Sequence, residues 1–313
     1  MTRAFVFPGQ GSQAVGMGQA LAAAFVTARE LFEEIDEALK QHLSRLMFEG
    51  PKDELMLTEN AQPALMAVSL AALRVITRDG GVDLADVVAL VAGHSLGEYS
   101  ALAAAGALEV TAAARLLKRR GAAMQRAVPV GEGAMAALLG IDWQTALEVA
   151  AAAAGDEVCE AANDNAPGQA VVSGHRAAVE RAIEIARERG ARRGVLLPVS
   201  APFHCRLMAP AGREMEAALA AADIAPPVVP VIANVTARPV GDADDIRRLL
   251  VEQVTAAVRW RETVLYMADS GVDRLVEVGA GKVLSGLARR IDRDLGAVSV
   301  GTPEEIEAFL VSL

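Results

Sequence analysis

Histidine, cysteine and aromatic side chains are all scarce in this 313-residue sequence: four histidines, two cysteines and 4% Phe, Trp and Tyr. The two cysteines, Cys159 and Cys205, offer no metal-ligand spacing and no disulfide framework, so no metal is expected, and a reducing, cytoplasmic setting fits them best. Long apolar runs are missing too. None approaches the ~20 residues of a membrane span, and membrane association is not expected. The chain passes from Thr2 and Arg3 straight into a strand-like run, without the charged, apolar and cleavage regions of a removable leader. Positive charge is in deficit: the net charge of −10 argues against nonspecific nucleic-acid binding, which needs a basic footprint. What remains, 53% hydrophobic and 22% charged residues, is the composition of a soluble enzyme of one or two domains.

Strand-like and helix-like runs alternate. Ala4–Phe7 reads as a strand, and Gly16–Phe25, Ala28–Leu39 and Ala64–Arg78 read as helices. Val87–Ala92 is a continuous apolar run of the kind buried on both faces of a sheet, followed by helices over Gly97–Ala105 and Thr111–Arg126. This order implies an α/β sheet covered on both sides. From about Gly133 the order changes to strand (Ala134–Leu139), helix (Trp143–Ala152), strand (Glu157–Ala162), strand (Ala170–Ser173), helix (Arg176–Arg189) and strand (Gly194–Val199). That βαββαβ succession is the split, ferredoxin-like unit. The expected organisation is therefore a small subdomain at 128–198 inserted into an α/β domain made of 1–127 and 199–313, with further strands near Val229–Ala233 and Arg274–Val278.

The loop after the first strand, Gly9-Gln10-Gly11-Ser12-Gln13-Ala14, matches the loose dinucleotide fingerprint. That fingerprint also demands a second apolar strand ending in an acidic residue, and the segment that should supply it, Arg29–Lys40, is charged and helical. A P-loop fails as well, because Gly281-Lys282 is followed by Val283 rather than a hydroxyl residue.

A second glycine-flanked stretch carries more. Gly93-His94-Ser95-Leu96-Gly97 lies between a buried strand and a helix, which is the setting of a nucleophile elbow. Glycines two positions either side of the serine remove side chains that would strike neighbouring backbone in so sharp a turn. The serine hydroxyl then stands at a helix N-terminus, where the N–H of Leu96 can face an oxyanion. A serine helix cap flanked by packing glycines is the plain alternative.

A serine nucleophile needs a base, and four histidines can be weighed singly. His42 sits in a charged amphipathic segment, and His175 falls at a turn. His94 adjoins Ser95 inside the turn, so its ring should point away from the hydroxyl and support the backbone. His204, in "LLPVSAPFHCRLM" just past a strand end, is left as the candidate base; a satisfied polar core residue is the alternative.

Arg120 is out of place. On the helix Thr111–Arg126, Leu116, Leu117, Ala123 and Met124 form one apolar stripe, and Arg120 falls in the middle of it. A guanidinium cannot shed its proton to ease burial, so it must face an anion. That anion is either an internal carboxylate or a substrate carboxylate gripped by the planar fork.

Together the segments "FVFPGQGSQ", "AGHSLGEYSAL", "RRGAAMQ", "NDNAPGQAVVSG", "VSAPFHCRLM" and "VEVGAGKVLSGL" resemble, in order and over essentially the whole chain, the malonyl-CoA:acyl carrier protein transacylases. The resemblance implies an α/β-hydrolase-like domain with a ferredoxin-like insertion, Ser95 as acylated nucleophile and His204 as base. It also implies Arg120 as partner of the malonyl carboxylate, and Gln10 and Leu96 as backbone donors of an oxyanion hole. Gln253 matches a position whose main-chain carbonyl orients the histidine, although the sequence beside it reads "TAAVRW" where many relatives read "NPVxW". Asn163 matches an acyl-pocket position, and Phe203 a bulky residue that disfavours a methyl branch.

The implied reaction is ping-pong transfer of malonyl from malonyl-CoA to the phosphopantetheine thiol of an acyl carrier protein in fatty-acid synthesis, without metal or cofactor and by a monomer. Lys118, Arg119, Arg192 and Arg193 are candidates for a basic rim facing the acidic carrier; ordinary solvated charge is the alternative. A serine hydrolase, a transferase serving a polyketide synthase and a catalytically dead scaffold are the rival readings.

Overall fold

The computed structural model of the chain describes residues 2–313. Its strands are, in chain order, β1 (Arg3–Phe7), β2 (Leu90–Gly93), β3 (Gly133–Leu139), β4 (Cys159–Ala166), β5 (Gln169–His175), β6 (Arg193–Leu196), β7 (Val231–Ala233), β8 (Arg238–Val240), β9 (Arg274–Val278) and β10 (Gly296–Val300). They form a six-stranded sheet, β10-β9-β1-β2-β7-β8, and a four-stranded sheet, β4-β5-β3-β6. The large sheet is parallel except for its edge strand β8, which runs antiparallel to β7.

Alternate residues of the central strands feed two separate cores. Phe5, Phe7, Val91, Val276 and Val278 enter one cluster, while Ala4, Val6, Leu90, Ala92 and Leu275 enter the cluster on the other face. A strand with both faces buried has no use for polar alternation, which is why these segments read as unbroken apolar runs. The small sheet is antiparallel throughout. Its strands, in the order second, third, first, fourth, make the ferredoxin-like arrangement, with the helices Trp143–Ala154 and Arg176–Glu188 on one face. Met135, Ala162 and Val171 point the other way and join the main core. The small sheet is also stitched to the large unit by backbone: Val258 N–H donates to Ala162 O (2.9 Å) and Asp164 N–H to Val258 O (3.0 Å).

Several local expectations shift. The first helix begins at Gln19 rather than Gly16, because Gly16 (φ 95°) and Gly18 (φ 79°) occupy the left-handed region. The run read as a strand from Val87 opens as the end of a helical turn, Leu84–Val87, capped by Asp83, and pairing starts at Leu90. The helix expected at Ala64–Arg78 starts earlier, at Thr58, and its last turn, Val75–Asp79, widens into π geometry. Short helices at Leu43–Glu49 and Lys52–Met56 and the strands β8 and β10 carried too little periodic signal to be read. Among the described residues, no helix is long and apolar enough to cross a membrane.

Candidate active site

Three parallel strands deliver polar residues to the same end of the large sheet. Phe7 of β1 is in register with Gly93 of β2, and Ala92 of β2 with Ile232 of β7. The residues just beyond them, Pro8–Gln10, His94–Leu96 and Asn234, therefore emerge side by side at the strands' C-terminal ends, where α/β sheets place ligand sites.

The turn after β2 is as tight as its glycines imply. A Cβ on Gly93 would collide with the carbonyl of Gly97, and one on Gly97 with the carbonyl of Phe7. Ser95 sits at φ 54°, in the left-handed region that a non-glycine residue enters only when its surroundings impose it. Asn234 clamps that geometry: its Oδ1 accepts the Ser95 N–H (2.7 Å) and its Nδ2 donates to Gly93 O (2.7 Å). His94 turns away from the hydroxyl, with Nε2 hydrogen-bonded to Asn165 Oδ1 (2.9 Å) and its ring beside Trp260.

His204 reaches Ser95 from a different part of the chain. The strand before it ends at Leu196 rather than Val199 and belongs to the small sheet, so the histidine lies in the loop returning to the large domain. It too has a left-handed backbone, φ 58°. Its Nε2 lies 2.8 Å from Ser95 Oγ, and its Nδ1 faces the carbonyls of Gln253 (2.9 Å) and Ala256 (3.2 Å). Carbonyls only accept, so the proton is on Nδ1 and Nε2 presents a lone pair to the serine O–H. Burial, reinforced by the positive charge of Arg120, pushes the His204 pKa down to about 3, with the two carbonyls opposing only in part. The imidazole is neutral at neutral pH, which is the form able to accept a proton.

Arg120 is 1% exposed. Its helix, Val110–Ala127, lies close against Thr58–Arg74, since a Cβ on Gly121 would come within 2.6 Å of Thr58 O. That approach brings Arg120 to Gln62: Nη1 donates to Gln62 Oε1 (2.9 Å), while Nη2 donates to Gln253 Oε1 (2.9 Å) and Ser95 Oγ (3.1 Å). Among the described residues, no carboxylate comes within 4.0 Å of the guanidinium. No internal carboxylate pairs with it directly: two neutral amides hold the fork, and the buried Glu98 acts on it electrostatically from beyond Gln253.

The other sequence candidates divide. The backbone N–H groups of Gln10 and Leu96 have no acceptor among the described residues, and Gly9 is pressed against the carbonyl of His94, so the two loops adjoin. The Gln10 side chain reaches Thr58 Oγ1 at 3.5 Å. Asn163 lies buried in β4, bridged to Val258, and Phe203 is buried beside His204. Of the proposed basic rim, Arg119 pairs with Glu214 and Lys118 approaches Glu59, while Arg192 and Arg193 have no carboxylate within 4.0 Å among the described residues.

Sequence reasoning missed Gln62, Glu98, Asn165 and Asn234. A signal existed for two of them. Gln62 is a polar residue inside a helix that is otherwise almost wholly buried, and Asn234 follows the apolar β7 run at its C-terminal end. Glu98, 2% exposed, accepts from the Asn234 N–H (2.9 Å) and from Gln253 Nε2 (2.8 Å); burial drives its pKa up to about 7.

A hydroxyl hydrogen-bonded to a neutral imidazole, two unpartnered N–H groups alongside and a buried cation form a site suited to acyl transfer from an anionic acyl donor. The comparisons agree with that class. A family model described as an acyl transferase domain matches residues 4–294, and the chain belongs to that family. More closely, it is similar to the malonyl CoA-acyl carrier protein transacylase of Bacillus subtilis, at 45% identity over 99% of this chain and 96% of that one. Among solved structures, an acyl-carrier-protein S-malonyltransferase from Bartonella henselae is 55% identical, with a TM-score of 0.97 over 100% of this chain and 99% of that chain. A malonyl-transacylase solved in complex with its type II polyketide acyl-carrier protein is 40% identical, with a TM-score of 0.97 and full coverage of both chains.

Proposed function

We propose that this chain transfers the malonyl group of malonyl-CoA to the phosphopantetheine thiol of an acyl carrier protein, supplying fatty-acid synthesis, through a malonyl-Ser95 intermediate. His204 Nε2 takes the hydroxyl proton as Ser95 Oγ attacks the thioester carbon. The tetrahedral oxyanion sits against the N–H groups of Gln10 and Leu96, and the loss of one such donor typically costs ~2.7–4 kcal/mol of transition-state stabilisation. Collapse breaks the C–S bond, and CoA leaves as a thiol carrying the proton from His204. The carrier thiol then attacks the malonyl ester, His204 accepts its proton and returns it to Ser95, and malonyl-carrier departs. Every bond and proton is accounted for by the two acyl carriers and the Ser95–His204 pair, so no metal or cofactor is required. All these groups come from one chain, and the monomer is proposed as the working unit. Phe203 would crowd a methyl-branched donor, and Asn163 lies in β4, the strand whose Asn165 is hydrogen-bonded to His94.

One observation carries the reading: a guanidinium whose hydrogen-bond partners are all neutral, and which lies over the Tyr99 ring, stands 3.1 Å from Ser95 Oγ. A bidentate carboxylate on that fork would sit two bonds from the acyl carbon under attack, as malonyl requires. Brief incubation with malonyl-CoA should add one malonyl mass to the peptide containing Ser95. Arg120→Ala should lose malonyl transfer at least 100-fold while keeping acetyl transfer. Equal loss with both donors would reject the carboxylate role, and rapid release of free malonate without a carrier would favour a hydrolase. The same chemistry on a polyketide carrier is a second reading, supported by the 40% identical transacylase bound to such a carrier. Competition between fatty-acid and polyketide carriers discriminates them.

A further inference from the structure

Gln253 does more than present its main-chain carbonyl to His204. Its side-chain Nε2 lies 2.8 Å from Glu98 Oε2, 3.0 Å from Ser95 O and 3.4 Å from Asn234 Oδ1. The Ser95 carbonyl is an acceptor only, Glu98 Oε2 is already fixed as an acceptor by the Asn234 N–H, and the Asn234 oxygen by the Ser95 N–H. The NH2 end of the amide must therefore face this cluster, which turns Oε1 toward Arg120 Nη2 at 2.9 Å. Flipping the amide would set two donors against each other at Arg120 and two acceptors at Glu98. Gln253 thereby passes the acceptor character of Glu98 to the guanidinium without passing on its charge. A carboxylate placed directly on Arg120 would hold it equally well but would neutralise the fork.

We propose that Glu98 is a positioning residue for substrate recognition, fixing the Gln253 side-chain amide so that its oxygen aims the Arg120 fork beside Ser95. The inference rests on the malonyl-carboxylate reading of Arg120. It goes beyond it by assigning donor selectivity to a carboxylate that does not touch the substrate.

The test compares malonyl with acetyl transfer in four single variants and one double variant, with thermal melting as a check on folding. Glu98→Leu removes the acceptor at nearly constant volume and should lower the malonyl-to-acetyl selectivity at least tenfold, mainly through KM for malonyl-CoA. Glu98→Asp withdraws the carboxylate from reach of Gln253 and should do the same; it decides the matter should the leucine variant fail to fold. Glu98→Gln restores an acceptor oxygen and should recover selectivity to within threefold of the parent. Gln253→Leu keeps the carbonyl for His204 but deletes the relay. It should match Glu98→Leu, and the double variant should fall no further. Unchanged selectivity in folded Glu98→Leu or Glu98→Asp, or independent additive losses in the double variant, overturns the proposal. A parent protein that acylates Ser95 equally from acetyl-CoA and malonyl-CoA sinks the Arg120 reading itself, before any Glu98 variant is compared.

Discussion

Ser95 and His204 share the left-handed backbone region, at φ 54° and 58°, and each donates a hydrogen bond to a residue remote in sequence, Ser95 through its N–H to Asn234 and His204 through its ring to Gln253. Such strain survives only where the surroundings over-determine it, and it brings Oγ and Nε2 to 2.8 Å. Because burial and Arg120 drop the His204 pKa from 6.5 to about 3, the base form should persist well into acid. With acetyl-CoA as donor, kcat/KM for Ser95 acylation should show no acid limb near pH 6.5, and Arg120→Ala should move the limb upward by removing a positive charge. A parent limb at 6.5 would count against His204 as a buried base. Glu98 works in the opposite sense. Its folded pKa of about 7 exceeds the ordinary 4.5, so its contribution to stability is complete below 4.5 and is lost as pH rises through 7. Full ionisation should cost about 3 kcal/mol. Glu98→Gln should therefore gain stability on the parent between pH 4.5 and 8 in urea titrations; parallel curves would refute the buried charge.

At the scale of elements, the turn between β2 and the helix Gly97–Ala104 decides whether the site exists. Gly97→Ala would drive a methyl into the Phe7 carbonyl, separating the elbow from β1 and from the Gln10 loop. It should destabilise by about 3 kcal/mol or more and abolish Ser95 labelling. Gly212 is the internal control: it lies within the helix Ala209–Ala220 with open space around it, so Gly212→Ala should stabilise by about 0.5–1 kcal/mol without touching activity. Both are read by chemical denaturation. The elbow was legible because its glycines have a steric cause that leaves a mark in sequence. The helix around Arg120 was legible because one charge interrupts an apolar stripe, and its neighbours Leu116, Leu117, Ala123 and Met124 are buried as that stripe implies. For the loop carrying His204, only a boundary shifts: the small-sheet strand before it, expected over Gly194–Val199, ends at Leu196, because a short apolar run does not mark where pairing stops.

Across the whole molecule, the small sheet is tied to the large unit through β4, whose Asn165 is hydrogen-bonded to His94 beside the nucleophile. Asp164, almost wholly buried there, pairs with Arg261 of the helix Trp260–Asp269, whose guanidinium is partly exposed. Asp164→Ala should cost about 1–3 kcal/mol, seen as a lower melting temperature, because it breaks a tie between the two units and strands one charge. An unchanged melting temperature would mean that the backbone bridge at Val258 holds the units by itself.

The sequence alone determined the alternation of strands and helices, the βαββαβ order of the middle segment, the elbow at Ser95 and the anomaly of Arg120. Each of these is local: it depends on periodicity, on steric demands within a few residues, or on one charge in an apolar stripe. Only the tertiary structure decided what surrounds that charge, because Gln62, Glu98, Asn234 and Gln253 come from four distant segments brought together by strand register and helix approach. Hydrogen bonds between such residues have no sequence period. They appear only once the chain has closed on itself.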